Sequence, residues 1–168
     1  MNIFVLDENP ELCAKYHNNK HVVKMILETA QLLSSAYYND PKINIENFID
    51  FPREKGFLKL THYNHPCTKW TRETIKNWEW LLQLFYELNI EYTFRYNKKH
   101  SLFCLFDWFN LHKPNLSEGI FTQFKKAMPQ YIIEAFSDPV EAYRMYYILE
   151  KWHLADWHPR CNPIWYNS

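Results

Sequence analysis

Residues His17 to Ser35, HNNKHVVKMILETAQLLSS, constrain the chain more than any other stretch. At about 100° per residue, His17, His21, Lys24, Glu28, Gln31 and Ser35 share one helical face within an arc of roughly 80°. The rest of the segment is largely apolar: Val22, Val23, Met25, Ile26, Leu27, Ala30, Leu32 and Leu33. An ordinary surface helix carries an apolar stripe at least about 100° wide opposite a broad polar side. This pattern is the reverse and predicts a mostly buried helix with a narrow polar stripe. Two readings of the stripe stand open. It is either a solvent face with i,i+4 pairs such as Lys24–Glu28, or the wall of a cleft. Two imidazoles, an amine and a carboxylate on one face are the residue types of acid–base chemistry, which favours the cleft.

The flanking sequence predicts helices almost throughout. Met1 to Leu6 is a short apolar run without a hairpin partner, expected as an extended terminus or a lone strand. Asn9-Pro10 opens a short helix to about His17, and the central helix runs to about Tyr38, where Asn39-Asp40-Pro41 breaks it. Residues 40–60 show no period and read as a loop. One long helix is expected from about Pro66 to Tyr96, with Glu87, Glu91 and Arg95 as successive i,i+4 neighbours and Arg95 bridging the two glutamates. A short apolar helix follows over Ser101 to Phe109, and another piece around Phe121 to Ala127. Asp138 and Glu141 form a capping box that starts a helix to about His153. The sum is an all-α fold of five to seven helices in one domain over 1–168, ending in an irregular aromatic tail.

Composition narrows the function. Only two glycines, Gly56 and Gly119, occur, and no phosphate-cradling glycine motif is present. Nineteen basic against nineteen acidic residues give net charge zero, so any grip on nucleic acid has to come from a local patch. The four cysteines are scattered; without a signal peptide or long apolar span they are expected to be reduced thiols in a cytoplasmic, non-membrane protein.

Several constellations carry chemistry. His17 and His21 have the i,i+4 spacing that puts two imidazoles on one metal, and His62, His65 and His100 extend the set, although the HExxH pattern is absent. Lys20 and Lys24 are candidate Schiff-base amines. Cys67 at a helix start is a candidate thiolate. Lys98, Lys99, Arg144, Tyr146, Tyr147, Trp157, Arg160, Trp165 and Tyr166 interleave charge with aromatic rings, the make-up of a surface that holds phosphates and stacks on bases and equally that of an aromatic core.

Three stretches resemble the pyrimidine-dimer DNA glycosylase/AP-lyase family: HVVKMILETAQLL with its Glu28, Asn64-His65-Pro66 opening a long helix that ends at a basic turn, and the tail from Trp157 to Tyr166. Short proteins of tailed phages and large DNA viruses are similar as well. The resemblance implies DNA as partner and no cofactor or resident metal. An N-terminal amine attacks C1′ of the damaged nucleotide to give a Schiff base, and a central-helix glutamate assists. An ordinary α-amine titrates near pH 7.7–8.0, about two units closer to neutrality than a lysine. Carried over, the roles fall on Glu28 and Met1, with His21 and Lys24 beside them. The DNA contacts fall on His65, Lys98, Lys99, Arg144, Trp157, Arg160, Trp165 and Tyr166. Asn2 is larger than the residue the family exposes by removing Met1, which puts the amine on Met1, and Leu27 stands where the family carries an arginine. The alternatives are a metal-dependent nucleotide or nucleic-acid enzyme built on the histidines, and a non-catalytic helical module that binds protein or RNA.

Overall fold

The computed structural model describes residues 1–39, 45, 48 and 50–166. Its α-helices among these are α1 (Pro10–Tyr16), α2 (Asn19–Ser34), α3 (Pro66–Thr71), α4 (Ile75–Tyr96), α5 (Leu105–Leu111), α6 (Gln130–Ala135) and α7 (Pro139–Glu150), and no strand is formed. The all-α expectation is met. The expected helix around Phe121 to Ala127 is not: this stretch is irregular, and the helix forms later, as α6. Its backbone is claimed sideways by side chains. Thr122 N donates to Asn77 Oδ1 at 2.9 Å, Trp70 Nε1 to Thr122 O at 3.2 Å, and Ala127 N to the Tyr143 hydroxyl at 3.2 Å. The long helix expected from Pro66 is likewise two, because Thr74 is an N-cap whose hydroxyl accepts from Asn77 N at 3.2 Å.

Caps explain most of the remaining boundaries. Asn9 accepts from Glu11 N and Leu12 N, Asn18 from His21 N and Asp138 from Glu141 N, each replacing a partner that a first-turn amide lacks. Asn97 ends α4 in the left-handed conformation at φ +50°.

Both α1 and α2 pack on α4. The buried side of α2, with Val22, Met25, Ile26, Ala30, Leu32 and Leu33, meets Trp78, Leu81, Phe85 and Leu88 of α4. Each such aliphatic side chain removed from water contributes about 1.5–3 kcal/mol. A second cluster accounts for much of the aromatic content: Tyr37, Phe51, Phe57, Trp108 and Phe109 pack ring against ring, with Tyr37–Trp108 centroids 5.6 Å apart. Ile3 to Leu6 form a buried extended segment running beside α2 and α7, where Phe4 stacks on His21 at 4.4 Å and lies 6.0 Å from Tyr146.

Glu91 is 2 % exposed and holds two guanidinium groups, Arg95 Nε at 2.6 Å and Arg160 through Nε at 2.6 Å and a terminal nitrogen at 2.8 Å. Arg95 also donates to the carbonyls of Lys15 and His17. The expected Glu91–Arg95 pair is formed, while Glu87 instead accepts from Gln83 and Arg160 of the tail takes its place on Glu91.

Candidate active site

The polar stripe of α2 is divided by burial. His17, His21, Glu28 and Ser35 are buried, while Lys24 keeps 66 % of its side chain in solvent. The exposed apolar positions are Val23 and Leu27, at 41 % and 43 %. The expected near-complete burial of the apolar positions therefore fails at these two, because both line an open cavity.

Glu28 meets the chain terminus at one oxygen and a lysine at the other. Its Oε2 accepts from Asn2 N at 2.9 Å and lies 3.8 Å from the Met1 amine, while Oε1 is 3.3 Å from Lys24 Nζ. Asn2 is held from every side. Its Nδ2 donates to Ala127 O at 2.8 Å, and its Oδ1 accepts from Ile3 N at 2.8 Å and lies 2.9 Å from the Tyr143 hydroxyl and 3.3 Å from Cys67 Sγ. A buried amide side chain with both ends satisfied is a rigid anchor, and here it fixes the terminal residue against the carboxylate.

Beside this contact lies a cavity of about 830 Å³. Its α2 wall is Val23, Lys24, Leu27, Glu28 and Gln31; the facing walls are residues 52–55 and His100 to Leu102. Its charged lining is Lys24, Glu28, Arg53, Glu54 and Lys55, and its apolar lining includes Val23, Leu27 and Leu102. Lys99 and His100 also line an adjoining recess, which puts the basic turn of Lys98 and Lys99 next to the cavity.

His65 caps α3, its Nδ1 accepting from Cys67 N at 3.2 Å, so the ring proton sits on Nε2. Burial lowers its pKa, and the nearby terminal amine and His62 lower it further while Glu28 acts in the opposite direction. His65 thus lies within the field of both the terminal amine and Glu28.

Other predicted residues are placed elsewhere. His21 was expected to do acid–base work. Its Nδ1 lies 2.5 Å from the Tyr147 hydroxyl, and burial followed by the charges of neighbouring His17, Lys151 and Lys24 depresses its pKa to about 3, so it is a neutral packing residue beneath the site. The histidine metal cluster does not assemble: His17 Nδ1 lies 2.7 Å from Cys13 O, and among the described residues no three His, Cys, Asp or Glu side chains converge. Cys67 is buried and its thiol is pushed up to about 11, the opposite of an activated thiolate. The predicted tail residues are packed against the rest of the fold. Trp157 is 2 % exposed and donates to Tyr16 O at 2.8 Å, Trp165 and Tyr166 pack among Tyr16, Tyr147 and Trp157, and Arg160 is bound to Glu91. Arg144 is bound to Leu6 O and Asp7 at the other end of the extended segment. Each of these groups has an internal partner.

Sequence reasoning missed Asn2 as the anchor, and missed Arg53, Lys55 and His100 at the cavity. An amide directly before the apolar run Ile3 to Leu6 was the available signal for the first. The cavity residues are far apart in sequence and carry no spacing signal.

In the comparison with known families, the model for pyrimidine dimer DNA glycosylase matches residues 1–103, which include Met1 and Glu28. The chain belongs to that family. The match spans the extended segment, α1 to α4 and the basic turn, so every residue of the Glu28 contact except its Ala127 and Tyr143 supports lies inside it. Membership in the pyrimidine dimer DNA glycosylase family carries a DNA glycosylase-type function, DNA as the substrate and a place in DNA repair. No curated protein and no solved structure matches the chain significantly. No described helix is long and apolar enough to cross a membrane.

Proposed function

We propose that the chain is a bifunctional glycosylase/AP lyase whose Met1 amine is the nucleophile and whose Glu28 is the proton-transfer group. The observation that carries this reading is the Glu28 Oε2 contact, 3.8 Å from the terminal amine and 2.9 Å from Asn2 N. The amine lone pair forms a bond to C1′ while the C1′–base bond breaks, and the base leaves with that electron pair and takes up a proton. The sugar ring opens to an iminium. Glu28 then removes a C2′ proton and the 3′ phosphate departs with the electron pair. Water finally hydrolyses the Schiff base and frees the amine.

The surroundings support this sequence of steps. A cavity of about 830 Å³ is of the size ordinary ligand sites have and takes an extruded nucleotide against Val23 and Leu27. Lys24, Arg53, Lys55, Lys98 and Lys99 supply the phosphate contacts that the net charge of zero lacks globally. His65, with its Nε2 proton, donates to a sugar or phosphate oxygen near the amine. The same reading puts the protein in the cytoplasm, with access to DNA.

Borohydride trapping tests it on duplexes with an abasic site, a cyclobutane pyrimidine dimer or no lesion, followed by intact-mass and peptide mapping. The expected result is one adduct on Met1 with the lesion duplexes alone. An adduct on Lys20 or Lys24 would move the nucleophile, and binding without any adduct would overturn the covalent mechanism.

A further inference from the structure

The side chain of Met1 is 4 % exposed and packs against the hydrophobic core, so the terminal residue is seated at its side chain as well as at its amine. Two hydroxyls face its sulfur. Thr68 Oγ1 of α3 donates to Met1 Sδ at 3.8 Å and Thr61 Oγ1 does so at 4.0 Å. Thr68 is fully buried. The two threonines lie on either side of a tight turn. His62 takes the left-handed conformation there at φ +49°, which is uncommon for a residue with a Cβ, and its carbonyl accepts from His65 N at 2.9 Å. Arg72 locks this turn: its guanidinium lies 3.8 Å over the Tyr63 ring, and a terminal nitrogen donates to Tyr63 O at 2.8 Å. A non-glycine residue keeps such a backbone only where its surroundings over-determine it. The turn brings both hydroxyls to one sulfur.

This seat bears on the amine through the covalent geometry of residue 1. The peptide plane after Met1 is held, because Asn2 N donates to Glu28 Oε2 at 2.9 Å and the Asn2 side chain is anchored on Ala127 O and Tyr143. With that plane held, rotation about the Cα–C bond of Met1 is the one freedom that swings the amine toward or away from Glu28. The same rotation swings Cβ, so a side chain fixed at its far end stops it. The amine then stays 3.8 Å from Glu28 Oε2. Methionine is unbranched and has three rotatable side-chain bonds, so the seat supplies an order that the residue itself lacks.

We propose that Thr68 and Thr61 are positioning residues for the nucleophile, and that the site requires methionine, or a side chain filling the same seat, on the residue that bears the amine. This rests on the glycosylase reading above, in which that residue is Met1. The thioether is a weak acceptor of the two hydroxyl protons, and burial of its methylenes supplies the rest of the hold. Orientation of this kind acts on the chemical step, where a misplacement of about 1 Å costs about a hundredfold in rate. Affinity for DNA is a separate quantity, since the Met1 side chain and Thr68 are buried.

The test uses full chains released from an N-terminal fusion by a protease, so that residue 1 is Met, Leu or Ala, or the chain starts at Asn2. The Met and Leu forms are also made with Thr68→Val and Thr68→Ser. Affinity for an abasic duplex and the single-turnover rate of borohydride trapping at saturating DNA are measured well below each Tm. Met1→Ala is expected to trap about 10- to 100-fold more slowly with affinity within about twofold, and Met1→Leu to recover most of the rate. The chain that starts at Asn2 is expected to be slowed at least as much as Met1→Ala. Thr68→Val is expected to slow the Met form about fivefold and the Leu form less than about twofold, because leucine offers the hydroxyl no sulfur. Thr68→Ser restores the hydroxyl and with it the rate of the Met form. Trapping by Met1→Ala or by the Asn2-start chain within twofold of wild type overturns the seat alone, as does a Leu form no faster than the Ala form. Equal effects of Thr68→Val in the Met and Leu forms overturn the positioning role of Thr68. A wild-type protein that gives no adduct on Met1 overturns the glycosylase reading, and the seat with it.

Discussion

Replacing Glu28 by Gln separates the chemical role of this carboxylate from its role in holding the terminus. The amide oxygen of Gln still accepts from Asn2 N, which sits at 2.9 Å. What is lost is charge. A unit pair at the 3.8 Å separation of Glu28 and the Met1 amine is worth about 4 kcal/mol at an effective dielectric of about 20. The Lys24 pair adds at most about 1 kcal/mol, since 66 % of that lysine side chain is in solvent. Against these stands the desolvation of a carboxylate that is 12 % exposed, several kcal/mol that the neutral amide does not incur. The opposing effects nearly cancel, and the net change in stability is expected within about 2 kcal/mol. For a chain of this size that moves Tm by less than about 8 °C. The lyase rate, deprived of its proton acceptor, is expected to fall by about 10²- to 10⁴-fold. Strand cleavage of an abasic duplex under single-turnover conditions, with calorimetry on the same preparations, measures both. A rate within tenfold of wild type refutes the catalytic assignment. A Tm loss beyond about 10 °C refutes the cancellation and makes Glu28 a structural anchor.

Glu91→Ala is expected to cost about 3–5 kcal/mol in urea unfolding, because it strands Arg95, whose side chain is fully buried, and releases Arg160 from the tail clasp. The pH dependence follows from His17 and His21, held by burial at about 4 and about 3. With folded values below the ordinary 6.5, they contribute full stability above about pH 6.5 and lose it as pH falls toward 3–4, each adding a slope of up to about 1.4 kcal/mol per pH unit. His21→Gln is expected to remove one proton from the uptake on unfolding measured between pH 6 and 5. Lys55→Ala, at the rim of the cavity, is expected to leave Tm unchanged and to lower the salt slope of DNA binding by about one, with an unaltered slope counting against a phosphate contact there.

Local chemistry made much of the fold legible in advance. Asn9 and Asp138 announce their helices because a cap is a contact between residues two or three apart. The α2 periodicity likewise marked Glu28. Long-range contacts were not legible. Nothing near Phe121 to Ala127 signals that Asn77, Trp70 and Tyr143 will take its backbone hydrogen bonds away from a helix. The tail aromatics and Arg160 have the composition of a nucleic-acid surface, and only the position of Glu91 and Tyr16 in space makes them a clasp. His21 illustrates the same limit, since a helical face gives direction and leaves open what packs against it.

The four-way anchoring of Asn2 also bears on how the protein is made. Its Nδ2 partner lies 125 residues onward and its Tyr143 partner 141 residues onward, so its anchoring waits on segments distant in sequence. Closing loops of that length comes late in folding, after local helices have formed. Without Tyr143, Asn2 loses one of the contacts that hold it beside Glu28. Under the proposed mechanism, a chain that has not completed this packing is expected to give little borohydride-trapped adduct.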